Sequence, residues 1–394
     1  MLLPRPSTLQ RTTRLFTTTS RSAAGRTSPT ESRAIVYAEH GNPAEVLKGH
    51  KYQLPALEKG QVRLRFELAA VNPADINVIQ GVYPSKPAVR EDIGELPLSI
   101  MGNEGVAVVE GFEEDGTVEK HLKVGDRVVM GKAQLGTWQS RTNLPFTSLV
   151  PLPSSYPISP SQAATLSINP PTALRMLSDF VPLNPATGVT HKKKQWVIQN
   201  GANSAVGTAA IQLAKAWGVG TINLVRDREG IDKLKEDLKA LGADHVLTYG
   251  EFLDRETRSK IKEWTKDGEL RLALNCVGGK ETSEMVKLLG LEGFLVTYGG
   301  MAKTSLSIPP SLFIFKKLTA TGFWLSNWVQ THPTERLTMM NELASLVSTG
   351  KLQEPATEIT TLGGTESEMS SVIREVMRKN EGGKGRKVLL RFED

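Results

Sequence analysis

Residues 72–85 read NPADINVIQGVYPS, and one tyrosine in this stretch, Tyr83, stands between Gly81 and Pro84, just past the apolar run VRLRFELAAV (62–71). A phenol with an unperturbed pKa near about 10 is protonated at neutral pH, so on a positioned loop it can donate a proton or bind a developing oxyanion. A turn tip with the ring packed on Pro84 and Pro87 is the plain alternative. A second cluster, Arg226-Asp227-Arg228, follows the apolar TINLV (221–225). Two planar guanidinium forks suit phosphate oxygens, while Asp227 between them could cap a helix or meet a ribose. A solvated charged turn competes with that reading. A third cluster is IQNGANSAVG (198–207), in which Gly201 and Gly207 bracket a loop and Asn203 and Ser204 replace a middle glycine. A helix opening at Ser204-Ala205-Val206 would offer free N–H groups to a pyrophosphate. An acid after the second strand would select NADH; the two arginines point to NADPH. Lastly, TYGGM (297–301) closes a strand with two glycines, where backbone can approach a flat ring.

These clusters need elements to hold them. Short strands and Gly/Pro turns fill the region from Arg33: RAIVYAEHG, VRLRFELAAV, GNEGVAVVEGF and KVGDRVVMG. After about residue 160 the texture changes. QWVIQN (195–200) is a short apolar strand, and SAVGTAAIQLAKAWG follows at helical period, with Val206, Ala210, Leu213 and Trp217 on one stripe. TINLV, the polar helix REGIDKLKEDLKALG, HVLTY (245–249), LRLALNCV (270–277), a helix through MVKLLG, and GFLVTYG (293–299) continue the alternation. Strands alternating with helices of this length imply βαβ units and a parallel sheet. EITTL and KVLLRF, near the end, return to strand texture and predict a chain that rejoins its first domain.

Composition narrows the chemistry. The 394 residues exceed what one core usually supports, so two domains are expected. No apolar run reaches the roughly 18–20 residues of a membrane span. A single cysteine, Cys276, rules out an internal disulfide framework and a thiolate-rich zinc site. The six histidines form no ligand pair at helical or hairpin spacing. Residues 1–30 hold five arginines, twelve Ser/Thr and no acid, and the formal charge of +6 falls to +1 without those arginines. A nucleic-acid footprint is therefore weak in the body of the chain. The leader's composition predicts a mitochondrial transit peptide, against the alternative of a basic tail with no address.

A β-rich domain joined to such an α/β domain resembles the medium-chain dehydrogenase/reductase superfamily. Its zinc members carry a metal-binding histidine in Gly-His-Glu, where this chain reads Gly102-Asn103-Glu104-Gly105. Asn72-Pro73 stands where a cysteine ligand would be, and the cysteine-rich structural lobe is missing. The zinc reading fails. Closer still, NPADINVIQGVYPSKP (72–87), LPLSIMGNEGVAVV (96–109), LSINPPTA (166–173), GANSAVG, VRDR, TYGGM and GFWLSNW (322–328) are together similar to the mitochondrial 2-enoyl thioester reductases, from about Arg33 to the C-terminus. The resemblance implies a Rossmann-type, doubly wound α/β cofactor domain (160–349) inserted in a GroES-like catalytic domain (31–159 and 350–394), after a transit peptide (1–30). It implies NADPH-dependent reduction of enoyl thioesters in mitochondrial fatty acid synthesis, with Tyr83 donating the proton or binding the thioester oxygen. Asn169 would hold the nicotinamide end, and Asn203, Ser204, Ala205 and Val206 would line the pyrophosphate. Arg226, Asp227 and Arg228 would surround the 2′-phosphate and its ribose. Tyr298, Gly299, Gly300 and Met301 would flank the nicotinamide ribose on one side, Phe323, Trp324 and Leu325 on the other. Lys387 matches a cofactor-contacting lysine, with Lys384 as competitor. The family also implies a homodimer paired through its sixth strands, for which KKLTATGFWLSNW (316–328) has enough β character. Acyl carrier protein would be a transient partner, with Lys86, Arg90, Lys316 and Lys317 as candidate contacts. A zinc-free quinone reductase and a catalytically silent NADPH-binding regulatory protein are the competing functions.

Overall fold

The computed structural model describes residues 30–113, 116–380 and 386–393. In chain order the first nine strands are β1 (Glu31–Tyr37), β2 (Lys48–Gln53), β3 (Gln61–Ala70), β4 (Val89–Arg90), β5 (Leu98–Ile100), β6 (Glu104–Phe112), β7 (Arg127–Met130), β8 (Arg141–Pro145) and β9 (Leu149–Pro151). Six more follow: β10 (Lys194–Asn200), β11 (Gly220–Val225), β12 (His245–Thr248), β13 (Gly268–Asn275), β14 (Phe294–Thr297) and β15 (Thr319–Gly322). The chain closes with β16 (Thr357–Leu362) and β17 (Lys387–Phe392).

β10 to β15 form one parallel sheet in the order β12-β11-β10-β13-β14-β15. This is the doubly wound dinucleotide-binding arrangement, whose strand order reverses between the first and fourth strands. β10 is buried at every position after Lys194, as expected of a central parallel strand covered on both faces. The Ala205–Ala216 helix packs on the sheet through Ala210 and Leu213, with Val206 and Trp217 at the edge of the same core. Ser204 starts that helix, its Oγ accepting from the Gly207 amide at 3.1 Å.

The catalytic half is antiparallel apart from β16, which lies parallel to β17. β17 pairs with β3, so the chain does return to its first domain and the cofactor domain is inserted within it. Helix Glu366–Asn380 joins β16 to β17 and buries Met369, Ile373 and Met377. That spacing of four is a helical stripe inside a stretch the sequence reading treated only as strands.

Two further expectations change. Tyr83 does not follow a strand directly: Pro73–Ile79 is a helix, with proline at its first turn and the Asn72 amide donating to Asp75 Oδ2 at 2.7 Å. Asn72 and Pro73 read as irregular because they are helix-start chemistry. Of KKLTATGFWLSNW only Thr319–Gly322 is a strand, and Leu325–Thr331 turns into a helix.

Candidate active site

The switch point of the parallel sheet lies between β10 and β13, and the loops leaving both strands meet there. Asn200 Nδ2 donates to Asn275 Oδ1 at 2.8 Å, and the Cys276 amide donates to Asn200 Oδ1 at 2.8 Å. Gly201 turns with φ +60, and a Cβ on it would lie 2.5 Å from Cys276 Sγ. A Cβ on Gly207 would lie 2.5 Å from the Ala202 carbonyl oxygen. Both positions therefore demand glycine, and the backbone of Asn203 and Ser204 is drawn against the start of a helix. The amides of Ala205 and Val206 in that first turn are the donors that an α-helix leaves for an anion. The Gly201 amide donates to the Tyr249 hydroxyl at 3.2 Å, a brace that the sequence reading missed by taking Tyr249 as a strand end.

Arg226, Asp227 and Arg228 are exposed immediately beyond β11. Asp227 Oδ2 accepts from the Gly250 amide at 3.1 Å, and hydrogen bonds from Thr248 and that amide hold its carboxyl below the usual range. This aspartate ties one strand end to the helix that follows the next strand. After β14, Gly299 is pressed against Cys276, while Gly300 and Met301 are exposed. The Tyr298 hydroxyl is buried without a hydrogen-bond partner among the described residues, and burial pushes its phenol well above the usual range. The Phe323 amide donates to the Thr297 carbonyl at 2.9 Å, and its ring meets Phe180 edge-on. Leu325 opens the next helix.

Tyr83 and Trp324 meet across the two halves of the molecule. Trp324 Nε1–H donates to the Tyr83 hydroxyl oxygen at 2.9 Å, and the rings are edge-to-face at 6.2 Å. An indole can only donate, so the phenol oxygen accepts and its own O–H stays free to donate elsewhere. Partial burial is the main cause that raises the Tyr83 pKa; the Trp324 bond opposes it, and the Asp75 charge adds to it. The phenol is protonated at neutral pH.

Near this pair lies a polar cluster that includes Asn72 and Asn103, the two positions where the sequence lacks metal ligands. Asn72 Nδ2 donates to Glu104 Oε2 at 2.9 Å, and Asn103 Nδ2 donates to Asp75 Oδ1 at 2.7 Å. Asn169 Nδ2 reaches Asn72 Oδ1 at 3.2 Å. Lys387 Nζ donates to Asn72 Oδ1 and stands 3.9 Å from Glu104 Oε2. Asn169 and Lys387 thus sit in the floor of the site rather than on its open wall. Burial pushes the Asp75 carboxyl up to about 7, against its hydrogen bonds and the Lys387 charge, and raises Glu104 as well. The available signal was Asn72 three residues before Asp75, the spacing of a helix cap. Lys384 lies outside the described residues.

A two-half molecule with a glycine-loop helix start at the switch point, and an amide-rich polar cluster in its catalytic half, is a medium-chain dehydrogenase/reductase. Residues 58–154 match the alcohol dehydrogenase GroES-like domain and residues 205–345 the zinc-binding dehydrogenase family. Despite that second description, no group of three or more His, Cys, Asp and Glu among the described residues could hold a metal ion. The chain is 43% identical over 335 residues to the mitochondrial enoyl-[acyl-carrier-protein] reductase of Schizosaccharomyces pombe, covering 84% of this chain and 87% of that one. Its identity to the Homo sapiens enzyme of the same name is 43% over 330 residues, 83% and 82% of the two chains. The solved complex of Etr1p with NADP and crotonyl-CoA superposes with a TM-score of 0.84 at 33% identity, over 92% of this chain and 99% of that one. The chain belongs to the mitochondrial enoyl-[acyl-carrier-protein] reductase family.

Proposed function

We infer that this protein uses NADPH to reduce trans-2-enoyl thioesters to saturated acyl thioesters in the mitochondrion, the last step of each elongation cycle of type II fatty acid synthesis. The observation that carries this is the Tyr83 hydroxyl, held by the Trp324 indole with its proton free, at the junction of the two halves. Bound NADPH supplies the hydride, which reduction of a conjugated double bond places on the β-carbon. Negative charge then develops on the thioester oxygen, and the α-carbon needs a proton. The Tyr83 O–H is the donor for either task, and the Trp324 N–H steadies the phenol oxygen as it gains charge.

The residues present fit the cofactor. The Gly201 and Gly207 turns admit close backbone approach, with Asn203, Ser204, Ala205 and Val206 as the pyrophosphate cradle. Arg226 and Arg228 provide forks for the 2′-phosphate. Tyr298, Gly299, Gly300 and Met301 would flank the nicotinamide ribose from one side and Phe323, Trp324 and Leu325 from the other. Asn169 turns its Nδ2 into the floor, which leaves its Oδ1 for the nicotinamide carboxamide. Lys387, with its ammonium in the same floor, would meet the cofactor from below. Domain limits at 159/160 and 349/350 belong to the same reading, supported by the helix starting at Pro160 and the one ending at Ser348. The transit peptide assigned to residues 1–30 lies, apart from Thr30, outside the described residues.

A homodimer joined through β15 is part of this proposal. β15 is the edge of the parallel sheet, and beside it Ile314 and Phe315 are 68% and 77% exposed. Acyl carrier protein is the proposed transient partner. Of its four candidate contacts, Arg90 is paired with Asp92, Lys316 caps the Lys287 and Leu289 carbonyls, and Lys317 is paired with Glu292. Lys86 is exposed, three positions after Tyr83. No helix of the described residues is long and apolar enough to cross a membrane.

The test is NADPH oxidation, followed by absorbance, with trans-2-hexenoyl-CoA and with a panel of quinones. Oxidation by the enoyl thioester alone supports the reductase. Electron transfer to varied quinones without enoyl turnover would favour the quinone reductase, and tight NADPH binding without any turnover the silent binding protein.

A further inference from the structure

We propose that Glu104 and Arg336 form a latch that fixes the catalytic half against the cofactor half and so sets Tyr83 over the cofactor; this rests on the reductase reading above. Both are positioning residues. Glu104 opens β6 of the catalytic sheet and is 0% exposed, and its two oxygens together reach both halves of the molecule, Oε2 also accepting from Asn169 Nδ2 at 3.5 Å. Oε1 accepts from the amides of Ser167 and Ile168, at 3.1 and 2.9 Å, just before the Asn169–Asp179 helix of the cofactor half. Oε2 accepts from Asn72 Nδ2 and lies beside Lys387, and Asn72 precedes the helix that ends at the Tyr83 loop. One carboxylate therefore spans from the cofactor half to the base of the phenol's own support.

Arg336 grips the same place in the opposite sense. It projects from helix Pro333–Ser348 of the cofactor half, is 6% exposed, and its Nη2 donates to the Met130 carbonyl of β7 at 3.1 Å. The same Nη2 donates to the Ser167 carbonyl at 3.2 Å. Ser167, in the segment where the chain crosses between halves, is thus held at its amide by Glu104 and at its carbonyl by Arg336. The Arg336 Nε and Nη1 have no protein partner among the described residues. Burial lowers its pKa to about 10 while the Glu104 charge opposes that, so the guanidinium is charged at neutral pH. An apolar interface would join the halves as strongly, since buried ion pairs contribute little net stability. What oriented hydrogen bonds add is a defined angle, which hydride and proton delivery to adjacent carbons needs.

The experiment compares the full-length parent with Glu104→Gln and Arg336→Met. NADPH affinity, kcat and KM for trans-2-hexenoyl-CoA, the kinetic isotope effect with deuterated NADPH, and an interdomain distance distribution are measured. Spin labels at Lys123→Cys and Lys239→Cys, both exposed and one on each half, report that distance. The latch predicts kcat lowered by about 10²-fold in Glu104→Gln, an enlarged isotope effect, NADPH affinity within about threefold, and a broadened distance distribution. If Glu104→Gln fails to fold, Arg336→Met and the shorter Glu104→Asp carry the test, the latter retaining more turnover than Glu104→Gln. Turnover per folded active site, isotope effect and distance distribution all unchanged would overturn the latch, even with a lower Tm. A parent with no enoyl turnover, whose distance distribution still broadens in the variants, would keep the latch and sink the reductase reading.

Discussion

The site has a mouth and a floor, and they are built on opposite terms. At the mouth, Tyr83 and Trp324 share a hydrogen bond and an edge-to-face contact, and the indole remains 43% exposed. In the floor, Asn72, Asp75, Asn103, Glu104, Asn169 and Lys387 are all at most 9% exposed, and each bonds at least one other member. Removal from water strengthens each floor hydrogen bond and makes any unpaired group costly, so the floor is rigid. A reacting phenol needs the reverse: access to a substrate arriving from solvent and one proton left uncommitted. The proposed chemistry sits where the structure is light, and the proposed positioning where it is heavy.

The sharpest way to break this contrast is Tyr83→Phe. Turnover should fall by about 10²–10⁴, the loss typical of a general acid, with NADPH affinity and Tm unchanged; steady-state kinetics and thermal unfolding decide it. Lys387→Met should do the opposite. It removes the cation that Glu104 faces in the floor, and urea unfolding should show a loss of about 3–5 kcal/mol. Equal stability losses for the two variants would erase the distinction.

Third in size, replacing Arg226 and Arg228 together by Ala should weaken NADPH by about 10–100-fold, as expected for lost charge-assisted bonds, and barely change NADH. Fluorescence titration with each cofactor reads this directly. Asp75 then tests the floor by pH. Its folded pKa of about 7 lies above the usual 3.8, so between about pH 4 and 7 the native state keeps a proton that the unfolded chain releases. Stability should therefore fall as pH rises through that window, by about 1 kcal/mol per pH unit, and Asp75→Asn should flatten the slope. Urea midpoints at pH 4.5 and 7 check it. The smallest effect belongs to Trp324→Phe, which keeps the ring and loses the N–H. A drop of about fivefold in kcat, near 1 kcal/mol, is expected, with the Tyr83 limb of the pH–rate profile moved upward because the bond that lowers its pKa is gone.

Most of the architecture was legible because it repeats. Strand texture at QWVIQN, TINLV, HVLTY, LRLALNCV and GFLVTYG became five strands of the parallel sheet, since burial on both faces leaves a continuous apolar run. The helices Pro73–Ile79 and Glu366–Asn380 were not recognised. In the first, proline and asparagine mark a helix start yet look like loop residues; in the second, three buried residues spaced by four were hidden among charges.

What the sequence by itself determined was the set of candidate types: a lone phenol between Gly81 and Pro84, two arginines beyond the second strand, and a glycine-bracketed helix start without metal ligands. Those are local facts, carried by residues within a few positions of one another. Only the tertiary structure decided that Trp324 would donate to Tyr83 across 241 positions. It alone placed Asn103, Glu104 and Lys387 in one buried cluster, and set Arg336 opposite Glu104 at the crossing between the halves. The reason is physical: a hydrogen bond depends on distance and direction in space. The burial that makes a carboxylate valuable as a clamp arises only when segments far apart in the chain close over it.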